Sequence, residues 1–100
     1  MAATLDRSNS IETEIIHVHY WAAAKAAAGV ASDELPVSAP ISLGEVVARA
    51  AALHPGSRLP EVLTSCSALV GDQPVSSKDP DDVLVSPGSS VEFLPPFAGG

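Results

Sequence analysis

From Ile16 to Trp21 the chain alternates, with Ile16, Val18 and Tyr20 on one side of an extended backbone and His17, His19 and Trp21 on the other. A period of two with one apolar side predicts a first β-strand that buries one face. The run Ala22 to Ala28 around Lys25 favours helix, but Gly29 stops it after seven residues, which predicts a short helix or an irregular turn. Leu35 to Val37 reads as a short second strand. It contains Pro36, which has no N–H to give to a ladder, so this strand is expected at a sheet edge.

Ser42-Leu43-Gly44-Glu45 has the form of a capping box, in which the Ser42 hydroxyl accepts from the Glu45 amide and the Glu45 side chain returns to the Ser42 amide. Leu43, Val46, Val47, Ala50 and either Leu53 or His54 then follow the three-and-four spacing of one buried stripe, until Pro55-Gly56 ends the main helix. Ser57 to Leu63 is expected to add one further turn. Ala68 to Val70 reads as a strand entering a tight reversal at Gly71-Asp72, with Val75 on the return, and Ser76 to Asp82 as a polar loop. Val83 to Val85 is a short apolar strand, Pro87-Gly88 a turn, and Val91 and Phe93 alternate with Glu92 and Leu94 in a last strand. This order describes an α+β domain with one main helix packed on one face of a mixed sheet. Residues 1–13 are polar and without apolar period and are expected to be a flexible leader; residues 14–94 form the domain and 95–100 an extended tail.

Composition narrows the function classes. One hundred residues suffice for one modest core, and with only four aromatic residues that core is aliphatic and thin, leaving little room for a deep substrate cavity. Twelve acidic residues against five basic ones give a net charge of -7, and no Lys/Arg cluster follows a phosphate backbone, which argues against nucleic acid and for a protein partner with a basic rim. The opening segment has no apolar core of an export signal, and Lys25 interrupts the most apolar stretch well short of a membrane span. The single Cys66 has no disulfide or metal-ligand companion, in keeping with a reducing cytoplasm.

The most informative chemistry is at the C-terminal end. Pro95-Pro96 ends the last ladder, because neither residue has an N–H to donate and both hold polyproline φ values. Phe97, Ala98, Gly99 and Gly100 follow, reaching roughly 13 to 14 Å if extended. Two glycines without Cβ atoms can thread a narrow passage, Phe97 would be a bulky anchor before it, and a carboxylate ionised at neutral pH can attack the α-phosphorus of ATP held by a partner.

The ending Phe93-Leu94-Pro95-Pro96-Phe97-Ala98-Gly99-Gly100 resembles that of the ubiquitin-like sulfur-carrier family of the MoaD and ThiS type, in particular the molybdopterin synthase small subunit. The resemblance extends from about Ile15. Ile16-His17-Val18-His19-Tyr20-Trp21-Ala22 is similar to the family's first strand, Lys25 falls where a basic residue is frequent, Gly29 matches a family glycine, and Ser42-Leu43 with Val46-Val47 resembles the start of its main helix. Val70-Gly71-Asp72-Gln73 is similar to its Val-Asn turn, and Gly88 to Phe93 to its final hairpin, with Pro87-Gly88-Ser89-Ser90 in place of Asp-Gly-Asp-Glu.

The resemblance implies a β-grasp fold like that of ubiquitin and no tightly bound cofactor. It further implies that an E1-like enzyme adenylates Gly100 with ATP, that a sulfur donor protein converts it to a thiocarboxylate, and that the molybdopterin synthase large subunit, in a heterotetramer with this chain, supplies the acid-base residues and holds the pterin precursor. Gly100 and Gly99 would carry the chemistry, and Phe93, Pro95, Pro96, Phe97, Ala98 and Lys25 would contact partners. Relatives that supply thiamine or cysteine synthesis, or that modify proteins through isopeptide bonds, share Gly-Gly and remain alternatives.

Other residues read more simply. His17 and His19 project from one face of a strand but have no third ligand at a recognisable spacing, so they read as solvated or interface histidines rather than a metal site. Cys66 reads as a small buried hydrophobe rather than a sulfur relay, and Asp79 to Asp82 as a solvated loop, without the length or terminal carboxylate of a calcium loop. No Gly-x-Ser-x-Gly elbow accompanies the serines, which disfavours a hydrolase.

Overall fold

The first and last strands of the domain lie side by side. In the computed structural model, which describes residues 14–75 and 78–96, β1 (Glu14–Tyr20) pairs in parallel with β7 (Ser90–Leu94) and antiparallel with β2 (Ser32–Val37). On its other side β7 pairs antiparallel with β4 (Ser67–Val70), which pairs with β5 (Gln73–Pro74), giving the order β2-β1-β7-β4-β5. The expected edge position of the Pro36 strand is thus observed. The leader, residues 1–13, lies outside the described residues.

Register decides which face is buried. Ile16 lies opposite Leu35, Val18 opposite Val91, and Tyr20 opposite Phe93, which in turn lies opposite Ala68. All seven of these side chains are buried, because paired residues share a face and this face meets the helices. Against it lie α1 (Ala22–Ala28), α2 (Leu43–Ala52) and α3 (Leu59–Ser65). One helical layer on a mixed sheet with parallel central strands is the β-grasp arrangement.

The ends of α1 follow from backbone chemistry. Gly29 closes it at φ 79 and donates its N–H to the Lys25 carbonyl at 2.9 Å, a conformation that is inexpensive without a Cβ. Its first residue, Ala22, is the only non-glycine with positive φ among the described residues, at 51. That left-handed residue turns the chain sharply from β1 into the helix.

In α2 half of the capping box forms. Ser42 Oγ accepts from the Glu45 amide at 3.0 Å, but the Glu45 carboxylate is held by Arg49 Nε at 2.9 Å, one helical turn on, where it gains a charge-assisted bond. Leu43, Val46 and Ala50 are buried as the stripe requires. At its end the choice between Leu53 and His54 falls on His54: Leu53 is 49% exposed, while His54 is partly buried against Asp33.

Four local expectations are corrected. The main sheet is accompanied by a second, two-stranded one, in which β3 (Ile41–Ser42) pairs with β6 (Leu84–Val85). The single turn expected before Leu63 is a seven-residue helix, α3, whose Leu59 and Leu63 enter the core. Within the polar loop, Pro80–Asp82 forms a 3-10 turn capped by Asp79 Oδ1 on the Asp81 amide at 2.9 Å, while residues 76–77 lie outside the described part. Finally, Pro87-Gly88 does not join a hairpin, since β6 and β7 belong to different sheets.

Candidate functional site

β7 carries the chain through the middle of the sheet to the root of the tail. Its last ladder pair is Leu94 with Ser67, after which Pro95 and Pro96 continue outside any strand. The Phe93 carbonyl accepts the Trp21 N–H at 3.2 Å, so the junction between β1 and α1 is tied directly to the tail strand. Phe97, Ala98, Gly99 and Gly100 lie outside the described residues.

One proposed contact residue is placed differently from expectation. Phe93 is 2% exposed and points into the core opposite Ala68, so its side chain serves packing and not a partner. Lys25 is exposed on α1 but does not line the surface around Pro95 and Pro96. That surface is formed by Ala23, Arg58, Glu61, Val62 and Ser65, and Arg58 is therefore the basic residue at the tail root. Arg58 precedes α3 and comes beside Pro96 only through tertiary packing, so no local pattern marks it.

From the root the surface continues as a shallow groove between α1 and α3, lined by Ala23, Ala26 and Ala27 on one side and Gly56, Ser57, Arg58 and Val62 on the other. Alanines at the α1 positions let the two short helices approach closely. On the opposite side of the root is the outer face of the sheet, with His17, His19, Glu92 and Leu94. Trp21 is 52% exposed, and its indole N–H donates to Glu92 Oε1 at 3.0 Å, which holds a large apolar ring beside the tail strand. The alternation that buries Ile16, Val18 and Tyr20 puts Trp21 on the other side with His17 and His19, and there it is displayed.

The ionisable groups elsewhere are structural. Tyr20 Oη donates to Asp33 Oδ2 at 2.8 Å, and His54 Nε2 lies 2.6 Å from the same oxygen. Burial, then the hydrogen bond to Asp33 and that residue's charge, raise the Tyr20 pKa. Cys66 donates to the Val62 carbonyl at 3.3 Å, and burial pushes its thiol up to about 11, which makes it a poor thiolate nucleophile at neutral pH. It borders an open cleft of about 480 Å³ that also includes Leu43, Val47, Leu63 and Phe93, so the thin core has more space beneath α2 than composition suggested. His17 Nδ1 lies 3.9 Å from Glu34 Oε2 on the outer face. Among the described residues no three His, Cys, Asp or Glu side chains come together as metal ligands, and no helix is long and apolar enough to cross a membrane.

Comparison with known proteins adds the context of relatives. The sequence model of the ThiS family matches residues 18–100. A molybdopterin synthase sulfur carrier subunit from Aspergillus niger is 32% identical over 83 residues, which cover 83% of this chain and 91% of the relative. Among solved structures, small archaeal modifier protein 1 from Methanosarcina acetivorans superposes with a TM-score of 0.70 at 18% identity, covering 88% of this chain and 98% of the other. Urm1 from Trypanosoma brucei superposes with a TM-score of 0.68 at 20% identity, covering 88% and 97%. At these identities the structures establish the shared ubiquitin-like fold.

Proposed function

Because this chain belongs to the ThiS family of ubiquitin-like sulfur carriers, we propose that it is the small, sulfur-donating subunit of a molybdopterin synthase and that its working group is the carboxylate of Gly100. The observation that carries this reading is the continuity of the family match from β1 through to Gly100, at a likeness of 32% to a sulfur carrier subunit. The fold supports it: β7 is held on both sides by neighbouring strands, and Pro95-Pro96 leads away from that fixed point.

In this reading an E1-like enzyme supplies ATP. The Gly100 carboxylate attacks the α-phosphorus and pyrophosphate leaves; sulfide delivered by a donor protein then attacks the acyl carbon of the adenylate, the C–S bond forming as the C–O bond to AMP breaks, which leaves the thiocarboxylate. The thiocarboxylate then enters the large subunit, which holds the pterin precursor and provides the acid-base groups. The chain itself contributes reach and orientation. It has little else to contribute, since Cys66 keeps its proton and Tyr20 is committed to Asp33.

Intact-mass analysis of the protein isolated from its own host tests the proposal. A sulfur carrier shows a fraction heavier by the difference between sulfur and oxygen, and this increment maps to Gly100. Higher-mass conjugates through lysine would instead identify a protein modifier, and purification with a thiazole or cysteine synthase in place of the pterin-binding subunit would assign a different sulfur pathway.

A further inference from the structure

We infer that both open edges of the main sheet are closed to a second copy of this chain, by an outward-facing proline in each edge strand and by Glu34, and that this keeps the chain monomeric. Backbone geometry carries it, whatever the tail delivers. The order β2-β1-β7-β4-β5 leaves β2 and β5 at the two ends. In an antiparallel pair, opposite residues alternate between those that bond each other and those that turn both backbone groups away. The His17 N–H donates to the Ser89 carbonyl and the Ile15 carbonyl accepts from Gly88, so these two residues of β1 turn away from β2. Their opposites on β2, Glu34 and Pro36, therefore face the open edge, with Ser32 in the same phase. At the other end of the sheet the Val75 N–H donates to the Ala68 carbonyl at 3.1 Å, which turns Pro74, one step earlier and opposite Leu69, outward from β4.

Each edge thus has a proline where an N–H would have pointed at a new strand. Neither proline costs the sheet a ladder bond, and each removes a donor from the edge. Pro74 is the outward residue of a two-residue strand, so β5 offers a carbonyl oxygen and no N–H. The longer β2 keeps outward N–H groups at Ser32 and Glu34, and there charge is added. A second copy pairing antiparallel about a two-fold axis at Glu34 would set Ser32 against Pro36, which cannot return its bond, and Glu34 of one copy beside Glu34 of the other. Like charges directly opposite destabilise a strand pair. The Glu34 side chain is 68% exposed, with His17 no nearer than 3.9 Å, and copies that each carry -7 repel at longer range. Proline and charge are means by which an exposed edge avoids pairing.

The test uses the full chain. Hydrogen exchange of the wild-type protein reads the geometry directly: the outward amides of Ser32 and Glu34 are expected to exchange at least about a hundredfold faster than those of Asp33 and Leu35, which face β1. Sedimentation velocity over a concentration series is expected to give a monomer. The double variant Glu34→Thr with Pro36→Thr restores a donor and removes the charge. It is expected to associate at a concentration lower by about tenfold or more, with exchange at Ser32 slowed in the associated species. Adding Pro74→Thr opens the second edge and is expected to extend dimers into longer assemblies. Glu61→Thr, exposed on α3, makes the same change of charge as Glu34→Thr and is expected to remain a monomer. Melting temperatures of dilute samples check folding of every variant.

Slow exchange at Ser32 and Glu34 in the wild-type monomer means that another part of the chain covers the edge, and a wild-type dimer with these amides protected makes the edge an interface; either result overturns the inference. So does a double variant that stays as monomeric as Glu61→Thr, or one that associates with both amides still exchanging fast. The sulfur-carrier reading is untouched by all four outcomes, since the mass increment at Gly100 tests it separately.

Discussion

The Tyr20 hydroxyl donates to Asp33 Oδ2 over 2.8 Å, a diagonal bond from the end of β1 to the edge strand β2, on which Asp33 lies opposite Val18. His54, just beyond α2, approaches the same oxygen at 2.6 Å, so one carboxylate ties two strands to the end of the main helix. Tyr20→Phe removes one bond and leaves Asp33 its histidine, with an expected loss of about 1 kcal/mol. Asp33→Ala leaves both Tyr20 and His54 without their acceptor and is expected to cost about 1 to 3 kcal/mol. Urea unfolding of the two single variants and the double variant reads both values. A double variant no worse than Asp33→Ala is the outcome of a shared bond, and full additivity would refute the coupling.

Gly44 stands in the first turn of α2 with the Asp81 carboxylate directly over its Cα, where an added Cβ would collide with Asp81 Oδ1. Two effects compete in Gly44→Ala. Alanine favours helix over glycine by up to about 1 kcal/mol, and the displaced Asp81 loses its place at the helix N-terminus, worth about 0.3 to 1 kcal/mol. The net change is expected to be small. In an Asp81→Ala background the same substitution is expected to stabilise by up to about 1 kcal/mol, and thermal melts of the four proteins read the difference.

Ala22 occupies a left-handed conformation at φ 51, between the Trp21 that bonds β7 and the rest of α1. An L-residue pays roughly 1 to 2 kcal/mol there, whereas glycine does not, although glycine loses about 0.5 to 1 kcal/mol more chain entropy on folding. Ala22→Gly is therefore expected to stabilise by up to about 1 kcal/mol, and Ala22→Val to destabilise by more than that. A fall in stability for the glycine variant in urea would show that the junction is not strained.

Burial raises the Cys66 thiol from 9.0 to about 11. At pH 8 the folded chain therefore holds about a hundredfold less thiolate than the unfolded chain, and iodoacetamide is expected to alkylate it slower by a similar factor. For stability the sign runs the same way: a proton held more tightly in the folded state favours folding. That contribution is fully present below pH 9 and is lost as pH rises through 11, and Tyr20, also raised, acts in the same direction. Melting temperatures between pH 8 and 11 are expected to fall, and less steeply in Cys66→Ala.

Deleting Gly99 and Gly100 separates function from folding. Loss of two residues without side chains beyond Pro96 is expected to change stability by no more than about 0.5 kcal/mol. It draws the carboxylate back by roughly 7 Å, and a reacting group misplaced by even about 1 Å loses on the order of a hundredfold in rate. Thermal melts beside an adenylation assay check both halves, and adenylation of the truncated chain would refute the role proposed for Gly100.

Elements whose cause is local were legible in the sequence. Alternation from Ile16 to Tyr20 and from Val91 to Phe93 marks strands with one buried side because the extended chain turns a side chain over at each step. Ser42 and Pro55-Gly56 bracket α2 through capping and chain stiffness, Gly29 ends α1 through its free φ, and the Gly-Gly ending identifies the family. Everything that depends on which segments meet was decided by tertiary structure. Glu45 had an intact capping-box pattern, yet Arg49 takes its carboxylate; Leu53 and His54 fitted the stripe equally, and Asp33 on a distant strand selects His54. Phe93 faces Tyr20 because β7 inserts beside β1 in parallel register, which only the folded sheet sets. Arg58 reaches the tail root, where Lys25 does not, because α3 packs against α1 and brings its first turn to Pro96; sequence separation conceals that neighbourhood, and packing creates it.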